Sequence, residues 1–146
     1  MPNAESSADK LAFTREFAFS GDTAAMFAAR DEIMQFLNAQ GIKGDEEIDI
    51  LVALQEALSN AVLHGCRDNP AKTVHCTVQG DDDEVNITVH DPGPGFDAGS
   101  ISEFEGGINL TGHGRGILLM RSLMDEVTYR QHGSEVQLKK IRHRPD

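Results

Sequence analysis

The chain predicts a two-layer α/β sandwich of the α+β kind, a mostly antiparallel mixed sheet covered on one face by about three helices. Three observations carry this. Two helical periods come before a run of alternating strands, so helices and strands are segregated along the chain rather than strictly interleaved. Two pairs of alternating segments, Lys72 to Gln79 with Glu84 to Asp91 and Asp125 to Arg130 with Ser134 to Lys139, are joined by short polar or glycine turns, as antiparallel hairpins are. A third helical period, about Arg115 to Met124, is inserted between them.

Taken in order, residues 1–10 read as a flexible leader, 11–141 as a single domain and 142–146 as a charged tail. Leu11 to Phe19 alternates with a period of two and reads as a half-buried strand broken by Ser20-Gly21-Asp22. Thr23 to Gln40 carries Met26, Phe27, Ile33, Met34, Phe36 and Leu37 at helical spacing, with Asp22 or Thr23 as cap and Gly41 as stop. A second helix runs from about Asp45 to Gly65, its acidic first turn suited to the helix dipole. The run Gly80-Asp-Asp-Asp83 is a solvated hairpin tip, and His132-Gly133 turns the second hairpin.

Composition narrows the function classes. Apolar content of 39% and charged content of 25% are globular values; with no Trp and one Tyr, Tyr129, the core falls to Leu, Ile, Val, Phe and Met. A formal net charge of −11 argues against direct nucleic-acid binding or anionic-membrane binding, both of which need basic patches. No apolar run approaches a membrane span and the start shows no signal peptide, so the expected location is cytoplasmic. Cys66 and Cys76 read as small buried or half-buried thiols. The spacing of His64, Cys66, His75, Cys76 and His90 matches no standard zinc pattern.

Three motifs carry chemistry. Glu56, Asn60 and His64 recur every fourth residue and stack along one side of the second helix. With Leu51 as reference, Leu54, Leu58, Ala61 and Val62 form the core face and the polar triplet lies roughly opposite, at about 100° per residue. A carboxylate, an amide and an imidazole aligned among small apolar residues suggest either the floor of a cleft or a buried helix whose polar groups are satisfied by neighbouring backbone. Asp91-Pro-Gly93-Pro-Gly95 then ends a strand with a carboxylate and two glycines, which by itself reads as a Pro/Gly turn or as bare backbone brought close to a flat ligand, with the carboxylate suited to an exocyclic amine. Finally, Gly112-His113-Gly114-Arg115-Gly116 opens the third helix, where backbone amides and the helix dipole suit a phosphate. The roughly twenty residues between Pro92 and His113 lack a regular pattern and read as a lid hinged at Gly99, Gly106 and Gly107.

The order of these motifs, Glu-x3-Asn-x3-His-Gly on a helix, Asp-x-Gly-x-Gly after a strand and Gly-x-Gly-x-Gly at a helix start, resembles the Bergerat ATP-binding fold of histidine kinases, gyrase-type topoisomerases and a class of heat-shock chaperones. Within that superfamily the chain is most similar to the bacterial anti-sigma-factor serine kinases, on Leu54 to Gly65, Gly116 to Val127 and Gly133 to Leu138. The resemblance covers about Leu11 to Lys140. It implies ATP and Mg²⁺ as cofactors. Asn60 would coordinate the metal, and Glu56 would position or deprotonate the attacking hydroxyl as the catalytic residue. Asp91, Gly93 and Gly95 would hold adenine, with Ser134 where the family usually has a Thr. Gly112, His113, Gly114, Arg115 and Gly116 would line the phosphates, and His64 would contact phosphate or make a structural hydrogen bond.

The chain lacks a dimerising helical hairpin with a phospho-accepting His, so the acceptor belongs to another molecule. The resemblance implies a serine or threonine of a STAS-domain anti-anti-sigma protein as acceptor, an RNA polymerase sigma factor as second partner, and a homodimer. The alternative is a non-catalytic ATP-binding partner-switch module that sequesters a regulatory protein.

Overall fold

The computed structural model describes residues 12–95 and 112–143. Strand β1, Phe13–Gly21, is followed by helices α1, Thr23–Ala39, and α2, Gly44–Asn60. Then come β2, Asn69–Gly80, β3, Glu84–His90, helix α3, Gly112–Leu123, β4, Glu126–Arg130, and β5, Glu135–Ile141. The strands form one five-stranded sheet in the order β1-β2-β3-β5-β4. The sheet was expected to be mostly antiparallel, and each of its neighbouring pairs is antiparallel.

Period-two patterning separates the two faces of the sheet. Register sets Cys76 opposite Val89 and Val89 opposite Val136, and in the next row Val78 opposite Ile87 and Ile87 opposite Leu138. All six are buried, so these rows form the floor of the core. Ile33 and Leu37 of α1, Ile50, Leu54 and Leu58 of α2, and Ile117 and Met120 of α3 close over it with no exposed surface. Burial of each such side chain contributes about 1.5–3 kcal/mol, which is why the helices lie on this face. Arg15 on β1 is exposed; its guanidinium reaches the Glu32 carboxylate at 3.5 Å and stacks on the rings of Phe17 and Phe36, 4.6 and 5.6 Å from their centroids.

Local signals set the helix ends. Asp22 caps α1, its Oδ1 accepting from the Ala25 N–H at 2.9 Å. At the other end Gly41 N–H donates to the Asn38 carbonyl at 3.0 Å and Ile42 N–H to the Leu37 carbonyl at 3.2 Å, the paired bonds that end a helix at a glycine, with Ile42 buried behind them. Arg142, at the start of the charged tail, donates through its N–H to the Asp83 carbonyl and through Nη1 to the Asp81 carbonyl, each at 2.8 Å. This ties it to the β2–β3 turn.

The second helix departs from the expected single span. Regular α-geometry stops at Asn60, and Ala61–Gly65 widens into a π-helical turn, closed by the Cys66 N–H donating to the Ala61 carbonyl at 2.8 Å. Arg67 and Asp68 then take left-handed backbone angles, φ 54° and 53°, and reverse the chain into β2. The Asp68 carboxylate anchors this reversal by accepting from the Thr23 N–H at 2.9 Å and the Thr23 hydroxyl at 3.2 Å. The core face of α2 is also rotated from the sequence expectation. Ile50, Ala53, Leu54, Ala57 and Leu58 are buried, while the reference residue Leu51 is only half-buried. The polar line therefore runs beside the core rather than opposite it, because α2 packs against α1 and α3 as well as the sheet.

Candidate functional site

Asn60, Ala61, His64 and Gly65, at the junction of α2 and the π turn, form one wall of a narrow cavity of about 30 Å³. Val89 on β3, Asp91 and Gly95 beyond its end, Val136 on β5, Tyr129, Gly133 and Ser134 around the β4–β5 turn, and Ala57 of α2 form the rest. Five predicted site residues thus meet in one place: Asn60, His64, Asp91, Gly95 and Ser134. The volume accommodates a water rather than a purine, so a nucleotide requires the walls to part.

Asp91 is the electrostatic centre of the cavity. It is 9% exposed, and burial pushes its carboxyl above the ordinary carboxylate range against the opposing effects of the Gly93 N–H and His90. Oδ1 accepts from Gly93 N–H at 2.8 Å, and the Asp91 N–H donates to the Ser134 carbonyl at 3.0 Å, locking the strand end to the β4–β5 turn. Gly65 packs so closely that a Cβ there would fall within the Asp91 carboxylate. Gly95, at φ 77°, packs against the His132 carbonyl, which a Cβ would overlap. These two close approaches leave bare backbone around a half-desolvated acceptor. Cys66, buried behind them, has its thiol pushed up by desolvation and then by the Asp91 charge, with Lys72 opposing.

The β4–β5 turn supplies the opposite wall at the expense of backbone comfort. Gln131 and His132 adopt φ 53° and 58°, followed by Gly133 at 92°. Ser134, 7% exposed, donates its hydroxyl to the Gln131 carbonyl at 2.9 Å, so its oxygen remains available only as an acceptor.

The remaining predicted residues lie elsewhere. Gly93 stands behind Asp91 against Gly65 rather than on the cavity wall. Glu56, one turn before Asn60, opens instead on a groove of about 780 Å³ between α1 and α2, with Met34, Ile48, Leu51 and Val52 among its lining residues. The start of α3 reaches this carboxylate: a Cβ on Gly116 would stand 2.6 Å from Glu56 Oε1 and 3.6 Å from Asn60 Nδ2. Helix α3 begins at Gly112 rather than near Arg115, so Gly112, His113 and Gly114 fall in its first turn, and Arg115 is exposed. The expected lid, apart from its ends at Gly95 and Gly112, lies outside the described residues, as does most of the expected leader.

Tyr129, Gly65 and Gly133 belong to the cavity and were absent from the predicted site. Strand alternation alone turns Tyr129 inward with Val127, which was the available signal. The Asn60 Nδ2 is buried with no hydrogen-bond partner among the described residues. Such an orphaned amide beside a buried carboxylate fits a site that completes itself with a ligand. Among the described residues no cluster of His, Cys, Asp or Glu could hold a metal by itself. Any Mg²⁺ held through the Asn60 oxygen would therefore take its other ligands from phosphate and water. No helix of the described residues is long and apolar enough to cross a membrane.

Comparison with known proteins identifies the family. Residues 19–140 match the family model of the histidine kinase-like ATPase domain. The anti-sigma F factor of Geobacillus sp. strain WCH70 is 33% identical over 104 residues, covering 66% of this chain and 70% of the relative. That of Geobacillus stearothermophilus is 30% identical over 118 residues, covering 77% and 81%. The serine-protein kinase RsbW of Staphylococcus epidermidis is 31% identical over 107 residues, covering 67% of each chain. In the crystal structure of the RsbU and RsbW domains of Rv1364c from Mycobacterium tuberculosis, 31% of that chain superposes on 88% of this one with a TM-score of 0.58 and 18% identity, which supports the fold. The chain belongs to the histidine kinase-like ATPase domain family, in its branch of bacterial anti-sigma-factor serine-protein kinases.

Proposed function

We propose that this chain is a Mg-ATP-dependent anti-sigma factor and serine/threonine protein kinase whose acceptor is a hydroxyl of a STAS-domain anti-anti-sigma protein. The observation that carries the reading is the placement of Glu56 and Asn60 one turn apart on α2, the amide on the cavity of Asp91 and the carboxylate on a separate, wider groove. A kinase needs nucleotide and hydroxyl to approach from different sides, and this division supports that geometry. Relatives named both anti-sigma factor and serine-protein kinase support the two halves of the role.

In this reading Asp91 accepts the adenine amino group, with Gly93 and Gly95 giving the base close approach and Ser134 accepting beside it. Asn60 holds Mg²⁺, which when bound supplies the charge neutralisation that a chain of net charge −11 cannot offer a triphosphate. Residues Gly112 to Gly116 present the first amides and positive dipole end of α3 to the phosphates, with Arg115 adding a cation. His64 is within reach of the same cavity. Glu56 orients the acceptor hydroxyl and takes its proton, the limited chemistry that phosphoryl transfer asks of a side chain.

The test is to incubate the purified protein with labelled ATP and a STAS-domain protein encoded nearby, with Mg²⁺ and with chelator. Mg²⁺-dependent label on the STAS protein is expected. Tight ATP binding without transfer, with a sigma factor still retained on a column, would replace this reading with the non-catalytic module.

A further inference from the structure

We propose that Gly116 is a positioning residue for Glu56: the side chain that α3 lacks at this point leaves the space in which the Glu56 carboxylate stands, and that space sets where the base is held. The proposal rests on the assignment of Glu56 as the base made above.

Helix α3 carries Gly116, Ile117 and Met120 on its buried side, where it packs against α2. Glu56, half-buried on α2, reaches this contact with the end of its side chain. A Cβ on Gly116 would stand 2.6 Å from Glu56 Oε1, whereas Asn60 Nδ2 and Glu56 Cδ lie at 3.6 and 3.7 Å. Among the described residues outside α3, Oε1 alone comes closer to that point than ordinary van der Waals contact.

The identity of the obstructing atom separates a positioning role from a packing role. Where neighbouring backbone demands a glycine, an added methyl group forces the main chain to move and stability falls. Here the obstacle is the free end of a flexible side chain. No hydrogen bond or ion pair to another described residue holds that carboxylate. A methyl group on Gly116 therefore drives the oxygen about 1 Å off α3, to ordinary separation, and leaves the backbone in place. Ala also keeps the N–H that the reading above offers to phosphate. What changes is the site of the base, which must stand within hydrogen-bond reach of the proton it takes.

The test compares the parent, Gly116→Ala, Glu56→Gln and the double variant. Steady-state and single-turnover transfer to the STAS-domain protein are measured beside calorimetric ATP affinity and thermal unfolding. Gly116→Ala is expected to lower kcat by about 10- to 100-fold, the scale set by a 1 Å misplacement. KM for ATP and ATP affinity should stay within about 2-fold of the parent. Unfolding should occur at an equal or higher temperature, because Ala is the better helix former. The double variant should transfer as slowly as Glu56→Gln and no slower, since Gly116 acts through the carboxylate. In a Glu56→Asp background, one methylene shorter, Gly116→Ala should cost less than it does in the parent.

Losses that multiply in the double variant would make the two residues independent and overturn the proposal. A lowered unfolding temperature, or a loss of ATP affinity that accounts for the fall in transfer, would make Gly116 a packing or phosphate-contact residue and overturn it as well. If Glu56→Gln transfers as fast as the parent, or the parent transfers nothing, the assignment of the base falls and this proposal with it. Slow transfer by Glu56→Gln beside parent-like transfer by Gly116→Ala sinks the Gly116 proposal alone.

Discussion

The cavity at Asp91 and the groove at Glu56 share a helix and are built on opposite principles. The cavity is about 30 Å³, walled by glycines, a buried carboxylate and backbone held at left-handed angles. The groove is about 780 Å³, open, with exposed apolar side chains such as Ile48, 58% accessible, on its rim. A cavity closed by desolvated polar groups is intolerant, because each added atom meets a neighbour and each removed charge changes the balance at Asp91. An open apolar groove tolerates change. The comparison teaches that one helix lines a closed polar cavity at one turn and an open apolar groove at the turn before it.

The largest expected effect tests whether the two regions divide the labour as proposed. Glu56→Gln should lower phosphoryl transfer to the STAS protein by about 10²–10⁴-fold, the usual contribution of a general base, while ATP affinity stays near that of the parent. Loss of ATP affinity in calorimetry would instead place Glu56 in the nucleotide cavity and merge the two regions.

Next comes Asp91→Asn, which should cost adenine nucleotides about 1.5–3 kcal/mol through loss of a charge-assisted acceptor. The same variant should unfold at an equal or higher temperature, since burial disfavours the carboxylate and an Asn oxygen still accepts from the Gly93 N–H. The sign follows from linkage. With its folded pKa raised, Asp91 contributes stability that is fully present below the ordinary carboxylate pKa and is lost as pH rises through the elevated value. Adenine affinity should move the other way, weakening as pH falls through that elevated value in the parent and staying flat in Asp91→Asn. Calorimetry across that pH range measures both, and matching profiles would remove Asp91 from the adenine contact.

Gly65→Ala places a Cβ on the Asp91 carboxylate and should destabilise the fold by about 1–3 kcal/mol, the range for overpacking a tight site. Denaturant unfolding reads it directly, and a parent-like midpoint would mean that the cavity yields more easily than its contacts imply. The smallest effect is expected on the groove side. Ile48→Ser, on the exposed face of α2, should change stability by no more than about 0.5 kcal/mol and leave ATP binding unaltered. A larger loss would show that the groove is as rigid as the cavity.

Much of this division was legible in the residues. Alternation in β2, β3 and β5 and helical spacing in α1 placed the two layers, Asp22 and Gly41 marked the helix ends, and the Asn60, Asp91 and Ser134 motifs were assigned to one site before their meeting was visible. These signals are local: a period of 2 or 3.6, a capping oxygen, a glycine before a turn. Residues remote from those periods escaped. Tyr129 carried no local signal beyond strand alternation, because the cavity that it lines together with Asn60 is assembled only when α2 packs against the sheet.

The chain by itself thus determined its layers, its two hairpins and the identity of most polar groups in the cavity, since hydrophobic period and turn chemistry are properties of short segments; the pairing of β1 with β2 and of β3 with β5 came from the tertiary structure. Only the tertiary structure decided which void each group faces. The π turn at Ala61–Gly65, the rotation of α2 that buries Ile50 in place of Leu51, and the separation of Glu56 from Asn60 all depend on helices competing for one sheet face. That competition is settled by packing among residues far apart in sequence, and no single segment carries a record of it.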